Sequence, residues 1–269
     1  MADANKGGGM SRQVFKVIVV GNVFVGKTSI VKRLAYGAYT ADYKGTLGVD
    51  FAVRDLEIKP VDVKAFLGGV PPTHLCTRVE RLTPEQGLQG SIPITIPDTH
   101  PLLSETSPGL GVRLQLWDIG GQERAAVLSR AYYRDAVGAV VVTDLSRTTW
   151  RDDVLVWKRD IDARVMYPGT SRPVPTFLLI NKIDLSEVQE TLLGADIGAF
   201  VRDNGFSGFY ATSSKAGTNL DCAFSHLSVL IAAQQPAQQP LSQSLSRSQV
   251  VSLTERPASD TSTKSSSCC

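Results

Sequence analysis

The feature that most constrains this chain is an apolar strand pattern that runs directly into a glycine-bounded loop. Residues 14–20 read VFKVIVV, a mostly apolar and β-branched run that is typical of a strand covered on both faces. Gly21–Thr28 follows at once and matches the pattern G-x-x-x-x-G-K-[ST], and helical sequence begins at about Lys27. A strand, this loop and a helix in that order predict an α/β fold with a phosphate-binding site.

The loop supplies the groups that phosphate binding requires. Backbone N–H groups of such a loop, with a helix N-terminus behind them, form a concave anion site. We expect Lys27 to reach the β- and γ-phosphates of a nucleotide, and the hydroxyl of Thr28 to bind Mg²⁺. The candidate phosphate-site residues are Val23, Phe24, Val25, Gly26, Lys27, Thr28 and Ser29.

A second motif selects the base. Asn181-Lys182-Ile183-Asp184 follows the apolar run 174–180, which is predicted to be a strand. The carboxylate of Asp184 can accept hydrogen bonds from guanine N1–H and the 2-amino group, whereas adenine offers no matching pair of donors. A carboxylate left unpaired costs on the order of a few kcal/mol, which is enough to discriminate between the bases. Asn181, Lys182 and Asp184 therefore predict GTP or GDP, and argue against an ATP-using P-loop kinase or ATPase.

Two further segments predict hydrolysis. The motif DIGGQE begins at Asp118, directly after another apolar run, and Asp118 is expected to hold Mg²⁺ through water. The Gly121 N–H can meet the γ-phosphate, and Gln122 can orient the attacking water. Thr46 can bring its hydroxyl and carbonyl to Mg²⁺ and the γ-phosphate. The predicted metal ligands are thus Thr28, Thr46 and Asp118, and the predicted catalytic residues are Gln122 and Lys27.

The chain divides into four parts by composition. Short apolar runs alternate with helical segments over 112–232, which indicates a largely parallel sheet. One of these helical segments carries an apolar stripe predicted to lie in the core: Trp150, Val154, Trp157, Ile161 and Val165. The predicted organisation is a flexible arm (1–13), a nucleotide-binding domain (14–232) with an insert at about 60–110, and a disordered Gln/Ser/Pro-rich tail (233–269).

The insert and the cysteines carry weaker signals. Eight prolines in residues 60–110 prevent long helices or central strands, so we interpret the insert as disordered filler, with a partner-binding element as the alternative. Of four cysteines, Cys76 and Cys222 stand alone in the sequence, which predicts no disulfide framework and no metal pair. A formal net charge of +2 gives no reason to expect nucleic acid as a partner.

With these residues in view, the chain resembles the Rab family of Ras-like GTPases, and most closely the branch serving lysosome-related organelles. The resemblance implies a P-loop GTPase fold, with a six-stranded, mostly parallel sheet, helices on both faces, and only the strand Gly48–Ile58 antiparallel. It places the insert in the hairpin after that strand, outside the fold. The matching segments are Gly21–Thr28, Thr46–Phe51, Trp117–Arg124, Asn181–Leu185, Ser213–Lys215 and the terminal pair Cys268–Cys269.

The resemblance also assigns roles to further residues. Tyr39 would stack near the guanine, and Tyr43 would close over the phosphates. Ser213, Ser214 and Lys215 would pack around the guanine ring and its carbonyl.

Three positions depart from the family pattern. Phe24 stands where most relatives have glycine, and would cost roughly 1–2 kcal/mol if its φ is positive. Gly120 replaces an alanine, and Ala125 replaces an aromatic residue. GTP binding is therefore expected with slow hydrolysis, and the alternative is a GTP-binding scaffold with negligible hydrolysis.

The resemblance implies a membrane-anchored switch of vesicle or organelle trafficking. Cys268 and Cys269 would each carry a geranylgeranyl group, because a single lipid holds a protein only marginally. The implied location is the cytoplasmic face of an endosomal, lysosome-related or Golgi-derived membrane, with a soluble cytosolic pool. The implied partners are an exchange factor, an activating protein that supplies the missing arginine, an escort or extraction protein, and effectors.

Overall fold

The computed structural model describes the domain that contains all but a few of the predicted site residues. Tyr43, Gln122, Cys268 and Cys269 lie outside the described residues, as does Ala125. The described residues are 12–41, 45–68, 72, 74–76, 89–91, 100–104, 107, 109–121, 129–186, 188 and 196–235.

Among the described residues, seven strands form one mixed sheet: β1 (Arg12–Gly21), β2 (Val49–Ile58), β3 (Gln89–Ser91), β4 (Leu110–Ile119), β5 (Gly138–Thr143), β6 (Thr176–Ile180) and β7 (Gly208–Ala211). Their order in the sheet is β2-β4-β1-β5-β6-β7-β3. The strands β1, β4, β5, β6 and β7 are parallel, and β2 is antiparallel to β4 at one edge. These six strands confirm the predicted six-stranded sheet with one antiparallel strand.

Helices connect and cover these strands. The central strands β5 and β6 are buried at every residue, as expected for strands covered on both faces. The apolar stripe predicted from 150 to 165 is buried throughout, so its assignment to the core is confirmed. The helices are α1 (Lys27–Tyr36), α2 (Pro60–Leu67), α3 (Ser129–Tyr133), α4 (Trp150–Arg164), α5 (Ile197–Asp203) and α6 (Leu220–Ala233).

The parallel strands position the functional loops. The carboxyl ends of the parallel strands all lie at the same end of the sheet. The loops after β1, β4, β6 and β7 therefore lie together there. These loops begin at Gly21, Ile119, Ile180 and Ala211. The predicted motifs that follow these strands therefore all start at the carboxyl end of the sheet.

The insert differs from the prediction. Residues 60–67 form α2, whose Val63 and Phe66 are buried against α6 and a 3₁₀ turn at Pro101–Leu103. The strand β3 adds a seventh strand, antiparallel to β7, at the edge opposite β2. The interpretation as filler outside the fold is wrong for these segments, because α2 and the 3₁₀ turn bury apolar side chains on the domain and β3 pairs with its sheet. We call residues 60–68, 74–76, 89–91 and 100–104 the strap.

A disulfide also joins the strap to α6. Cys76 is bonded to Cys222, whose Cα atoms are 5.2 Å apart although the residues are 146 positions apart in sequence. The prediction that these cysteines stand alone is therefore wrong. Their wide spacing gave no local signal, and only the packing of the strap on α6 brings them together.

Candidate nucleotide-binding site

The phosphate loop has the backbone that an anion site requires. Between β1 and α1, the chain enters the left-handed region at Phe24 (φ 68°) and Gly26 (φ 94°). Residues in this region let successive N–H groups point into one concavity. Glycine is required at position 26, because a Cβ atom there would collide with the side-chain amide of Asn181.

Phe24 occupies a backbone conformation that disfavours its side chain. Its φ is positive, which is the condition under which the sequence analysis expected a cost of roughly 1–2 kcal/mol. Its ring is 63% exposed and lines the rim of the pocket described below. Sequence analysis thus located an unusual residue at the mouth of the site.

Lys27 lies inside the loop with only 6% of its surface exposed. Its Nζ donates a hydrogen bond to the carbonyl oxygen of Asn22 at 2.9 Å. Burial lowers the pKa of Lys27 to about 8, and the nearby charge of Asp118 opposes that shift. The ammonium group is therefore poorly compensated, and a phosphate would stabilise its charged form.

The three predicted metal ligands converge. The hydroxyl oxygens of Thr28 and Thr46 are 2.7 Å apart, and both donate to Asp118 Oδ2, at 2.5 and 3.4 Å respectively. The other carboxylate oxygen of Asp118, Oδ1, is buried and has no hydrogen-bond partner among the described residues. Burial raises the pKa of Asp118, while the Thr28 bond and Lys27 oppose the shift.

This donor set fits Mg²⁺. The ion prefers oxygen ligands and usually takes one or two carboxylates together with water and substrate phosphates. Two hydroxyls and one carboxylate with an unsatisfied buried oxygen provide such a set at Thr28, Thr46 and Asp118. Within the described ranges, no group of three or more His, Cys, Asp or Glu forms a metal cluster of another kind.

The base-recognition motif is held by its own hydrogen bonds. The Asn181 amide donates to Val25 O at 3.0 Å, and its Oδ1 accepts from the Ser214 N–H at 3.0 Å. Asn181 therefore joins the phosphate loop to the loop after β7. Asp184 is exposed and accepts a hydrogen bond from Ser213 Oγ at 2.6 Å, so a guanine whose N1–H and 2-amino group face the carboxylate would complete its desolvation.

Sequence analysis missed the residue that holds Lys182. Lys182 has a positive φ of 67°, and its Nζ lies 2.7 Å from Asp144 Oδ2. Burial alone would raise the pKa of Asp144, but hydrogen bonds from Lys182 and Ser146 outweigh it and lower the pKa. Asp144 directly follows the apolar strand β5, as Asp118 and Asn181 lie at the ends of their strands. This position was the sequence feature that could have indicated Asp144 as a site residue.

A single pocket of about 650 Å³ joins the two ends of the site. Val25 and Ser213 support the pocket from behind through hydrogen bonds to Asn181 and Asp184, and Asp118 is buried beneath it. Lining residues that the sequence analysis did not assign to the site include Lys32, Leu47 and Leu185. The predicted residues that line the pocket are Val23, Phe24, Gly26, Lys27, Thr28, Ser29, Tyr39, Thr46, Gly121, Asn181, Lys182, Asp184, Ser214 and Lys215.

A second missed contact ties the phosphate loop to α4. The indole N–H of Trp157 donates to Asn22 Oδ1 at 2.9 Å. Trp157 was assigned to the core, which is correct, but its polar atom also reaches the loop. Asn22 is thereby held at its side chain by Trp157 and at its carbonyl by Lys27.

Comparison with known proteins agrees with this geometry. The model of the Ras family matches residues 95–233, just over half of the chain, and the model described as "Ras of Complex, Roc, domain of DAPkinase" matches residues 16–66. Ras-related protein Rab-32 of Mus musculus is 33% identical over 95% of this chain and 90% of its own length. The chain belongs to the Rab family of Ras-like small GTPases.

Other Rab relatives match most of the chain. Ras-related protein Rab-32A of Dictyostelium discoideum is 32% identical over 80% of this chain and 76% of its own length. Ras-related protein Rab-7L1 of Homo sapiens is 32% identical, over 79% and 80% respectively. These matches confirm the resemblance stated from the motifs, including the branch. The gap between the two matched family models, residues 67–94, lies within the insert.

Family membership establishes the general activity. A Rab GTPase binds guanine nucleotide, hydrolyses GTP to GDP and phosphate, and acts as a trafficking switch. Among the described residues, no helix is both long enough and apolar enough to span a bilayer.

Proposed function

We propose that this Rab is a Mg²⁺-dependent switch that hydrolyses GTP slowly unaided and recruits effectors in its GTP-bound form. The observation that carries the proposal is the single pocket lined by both Lys27 and Asp184, with Asp118 and two threonine hydroxyls beneath its phosphate end. A nucleotide that bridges the two ends would meet a cation for its phosphates and a carboxylate for its base.

The proposed chemistry is transfer of the γ-phosphoryl group to water. Lys27 would neutralise charge on the β- and γ-phosphates, and Gln122 would orient the attacking water. Thr28, Thr46 and Asp118 would hold Mg²⁺, which when bound supplies positive charge to the phosphate oxygens. No arginine could be assigned to the reaction from the sequence, so an activating protein would supply one, and hydrolysis without it would be slow.

The proposed output depends on two connected loops. Thr46 follows the phosphate-loop helix, and Gly121 follows β4, where each would contact the γ-phosphate. The Gly120 N–H donates to Gly48 O at 2.9 Å, which joins the two loops directly. Loss of the γ-phosphate would therefore release both loops together, a transition that effectors can detect.

Membrane attachment is proposed from the C-terminal sequence and not from the geometry of the pocket. Two prenyl groups on Cys268 and Cys269 would anchor the protein stably to a cytoplasmic membrane surface, as one group would not. The support is the terminal cysteine pair together with Rab-family membership. We propose an endosomal, lysosome-related or Golgi-derived membrane, with exchange factor, activating protein, escort protein and effectors as partners.

Two measurements test the nucleotide and the reaction. Mass analysis of the nucleotide that co-purifies with the protein should identify GDP or GTP, and an adenine nucleotide would overturn the proposal. Single-turnover hydrolysis should then fall at least tenfold in Gln122→Leu, because the attacking water loses its orienting group. An unchanged rate would remove Gln122 from the mechanism.

The alternative is a GTP-binding scaffold with negligible hydrolysis, favoured by Phe24. The exposed side chain of Phe24 at the pocket mouth could exclude the arginine of an activating protein. The scaffold hypothesis predicts that Phe24→Gly raises the hydrolysis rate stimulated by such a protein by at least tenfold. If the wild type is already stimulated to the same rate, the alternative is rejected and the enzyme-switch proposal stands.

A further inference from the structure

The helix α6 requires a cover on its outer side. Every residue of Leu220–Ala233 except Asp221 is buried, so the helix is enclosed on all sides rather than along one stripe. A helix that is apolar all round is stable only when it is covered on all sides. The strap provides part of this cover through α2 and Cys76.

The contact between strap and helix is closely packed. Phe66 of α2 is 1% exposed, and its ring is stacked on His226 of α6 with centroids 4.8 Å apart. His226 accepts or donates one hydrogen bond, to Tyr210 Oη at 2.7 Å. Its Nε2 is buried without a hydrogen-bond partner among the described residues.

One covalent bond fastens this cover. Cys76 lies on the strap with 7% exposure, and Cys222 lies in the first turn of α6 with none. Their Cα separation of 5.2 Å falls in the range that a disulfide spans without backbone movement. In the cytosolic setting proposed above, stable structural disulfides are rare, and those that occur are mostly transient or redox-sensing.

We propose that Cys76 and Cys222 form a redox-reversible modification site that latches the strap over α6 and exchanges with glutathione-class thiols and disulfides. The proposal rests on the proposed cytoplasmic location only for the source of these reagents. The bond itself joins two segments that are far apart in sequence, so its redox state decides whether the strap is held covalently.

The exchange balances with these reagents alone. A thiolate of the glutathione class attacks the sulfur of Cys76, the more exposed of the two, and forms a mixed disulfide there while Cys222 leaves as a thiolate and takes up a proton. A second thiol attacks the mixed disulfide, which frees Cys76 and produces one molecule of oxidised glutathione. In the reverse direction, oxidised glutathione accepts two electrons from the protein thiols, and two glutathione thiols are released.

Opening the latch should loosen the strap without removing the nucleotide pocket. The disulfide closes a loop of almost 150 residues, and its loss returns much conformational freedom to the unfolded chain. The phosphate and base loops lie at the carboxyl ends of the parallel strands and contain neither cysteine. Nucleotide binding therefore serves as an independent measure of folding.

The test uses the full chain with Cys268→Ser and Cys269→Ser, so that only Cys76 and Cys222 carry sulfur that can exchange. The protein is equilibrated with oxidised glutathione or with reduced glutathione, alkylated with N-ethylmaleimide, and mapped by mass spectrometry. We expect a linked Cys76–Cys222 peptide in the first case and two alkylated cysteines in the second. The oxidised form should also melt about 10 °C higher.

A matched variant controls for effects of the reagents that do not involve the two cysteines. Cys76→Ser/Cys222→Ser, in the same background, should bind GDP and melt at one temperature in either reagent, close to that of the reduced parent. Two alkylated cysteines after oxidation, or only mixed disulfides with glutathione, would overturn the latch. So would a melting difference that persists in the double serine variant. If GDP binding is retained in these cases, the latch alone fails and the proposed function stands.

Discussion

The nucleotide pocket and the strap are built by opposite means within one domain. The pocket is assembled from polar loops and contains groups that are incompletely satisfied by the protein, such as Lys27 and Asp118 Oδ1. The strap instead buries apolar side chains such as Phe66 and adds a disulfide. The first region is arranged to gain free energy from a ligand, whereas the second has already gained its free energy from the protein.

This difference indicates which region each perturbation should affect. Removing a polar group from the pocket should weaken ligand binding with little effect on the unfolding of the ligand-free protein. Removing an apolar group from the strap should do the reverse. Both expectations follow from the general cost of an unpaired polar group compared with that of a cavity.

The largest expected effect on ligand binding is in the pocket, where the base binds. Asp184→Asn replaces an acceptor with an amide whose N–H₂ faces the donors of guanine, and should weaken GDP binding about 100-fold or more. Isothermal titration of nucleotide-free protein would measure this change. Asp203→Asn, on the exposed end of α5, is the matched control and should bind GDP normally. Equal loss in both variants would contradict a role in base recognition.

The strap should show the converse behaviour. Phe66→Ala leaves a cavity beside His226 and should lower the free energy of unfolding by about 3–4 kcal/mol. Chemical denaturation of the ligand-free protein would give this value, and titration should show unchanged GDP affinity. Val61→Ala, at an exposed position of the same helix, should change stability by less than about 0.5 kcal/mol. A loss of GDP affinity in Phe66→Ala would show that the two regions are coupled.

The pocket could be predicted from the sequence because its requirements are local. Gly21–Thr28 must combine left-handed glycines with a lysine, and Asn181–Asp184 must follow a strand, so each motif is visible within eight residues. The burial of the central strands could also be predicted, because a continuous apolar run within a few residues indicates a strand that is covered on both faces. Thr28 and Asp118 lie close together because β1 and β4 are parallel neighbours, and Thr46 lies just before β2, which pairs with β4 in the opposite direction.

The strap could not be predicted in this way because its contacts are remote. Prolines in the insert indicate only what the local backbone cannot do, and α2 begins with one of them at Pro60. The partners of Phe66 and Cys76 are His226 and Cys222, about 150 residues further along the chain. Composition argued for filler, and the apolar residues of α6 were the only available signal that something must cover that helix.

A change of pH should act on the pocket and not on the strap. Because burial lowers the pKa of Lys27 to about 8, the free protein loses this positive charge as the pH rises through 8, while bound phosphate requires it. GDP binding should therefore take up a proton above pH 8, and affinity should fall by up to about tenfold per pH unit. Titration between pH 7 and 9 would measure this, and Lys27→Met should bind weakly with no such slope. A flat profile in the wild type would contradict the shift.

The smallest expected effect concerns the contact between the pocket and the core. Trp157→Phe keeps an aromatic ring, although a smaller one, but deletes the N–H that donates to Asn22 Oδ1, and Asn22→Ala deletes the acceptor. Each change should loosen the phosphate loop and raise the GDP dissociation rate about fivefold, a coupling of about 1 kcal/mol. Since both remove one bond, the double variant should dissociate no faster than either single variant. Trp150→Phe on the same helix should leave the rate unchanged, and additive effects of the first pair would show that the bond does not position the loop.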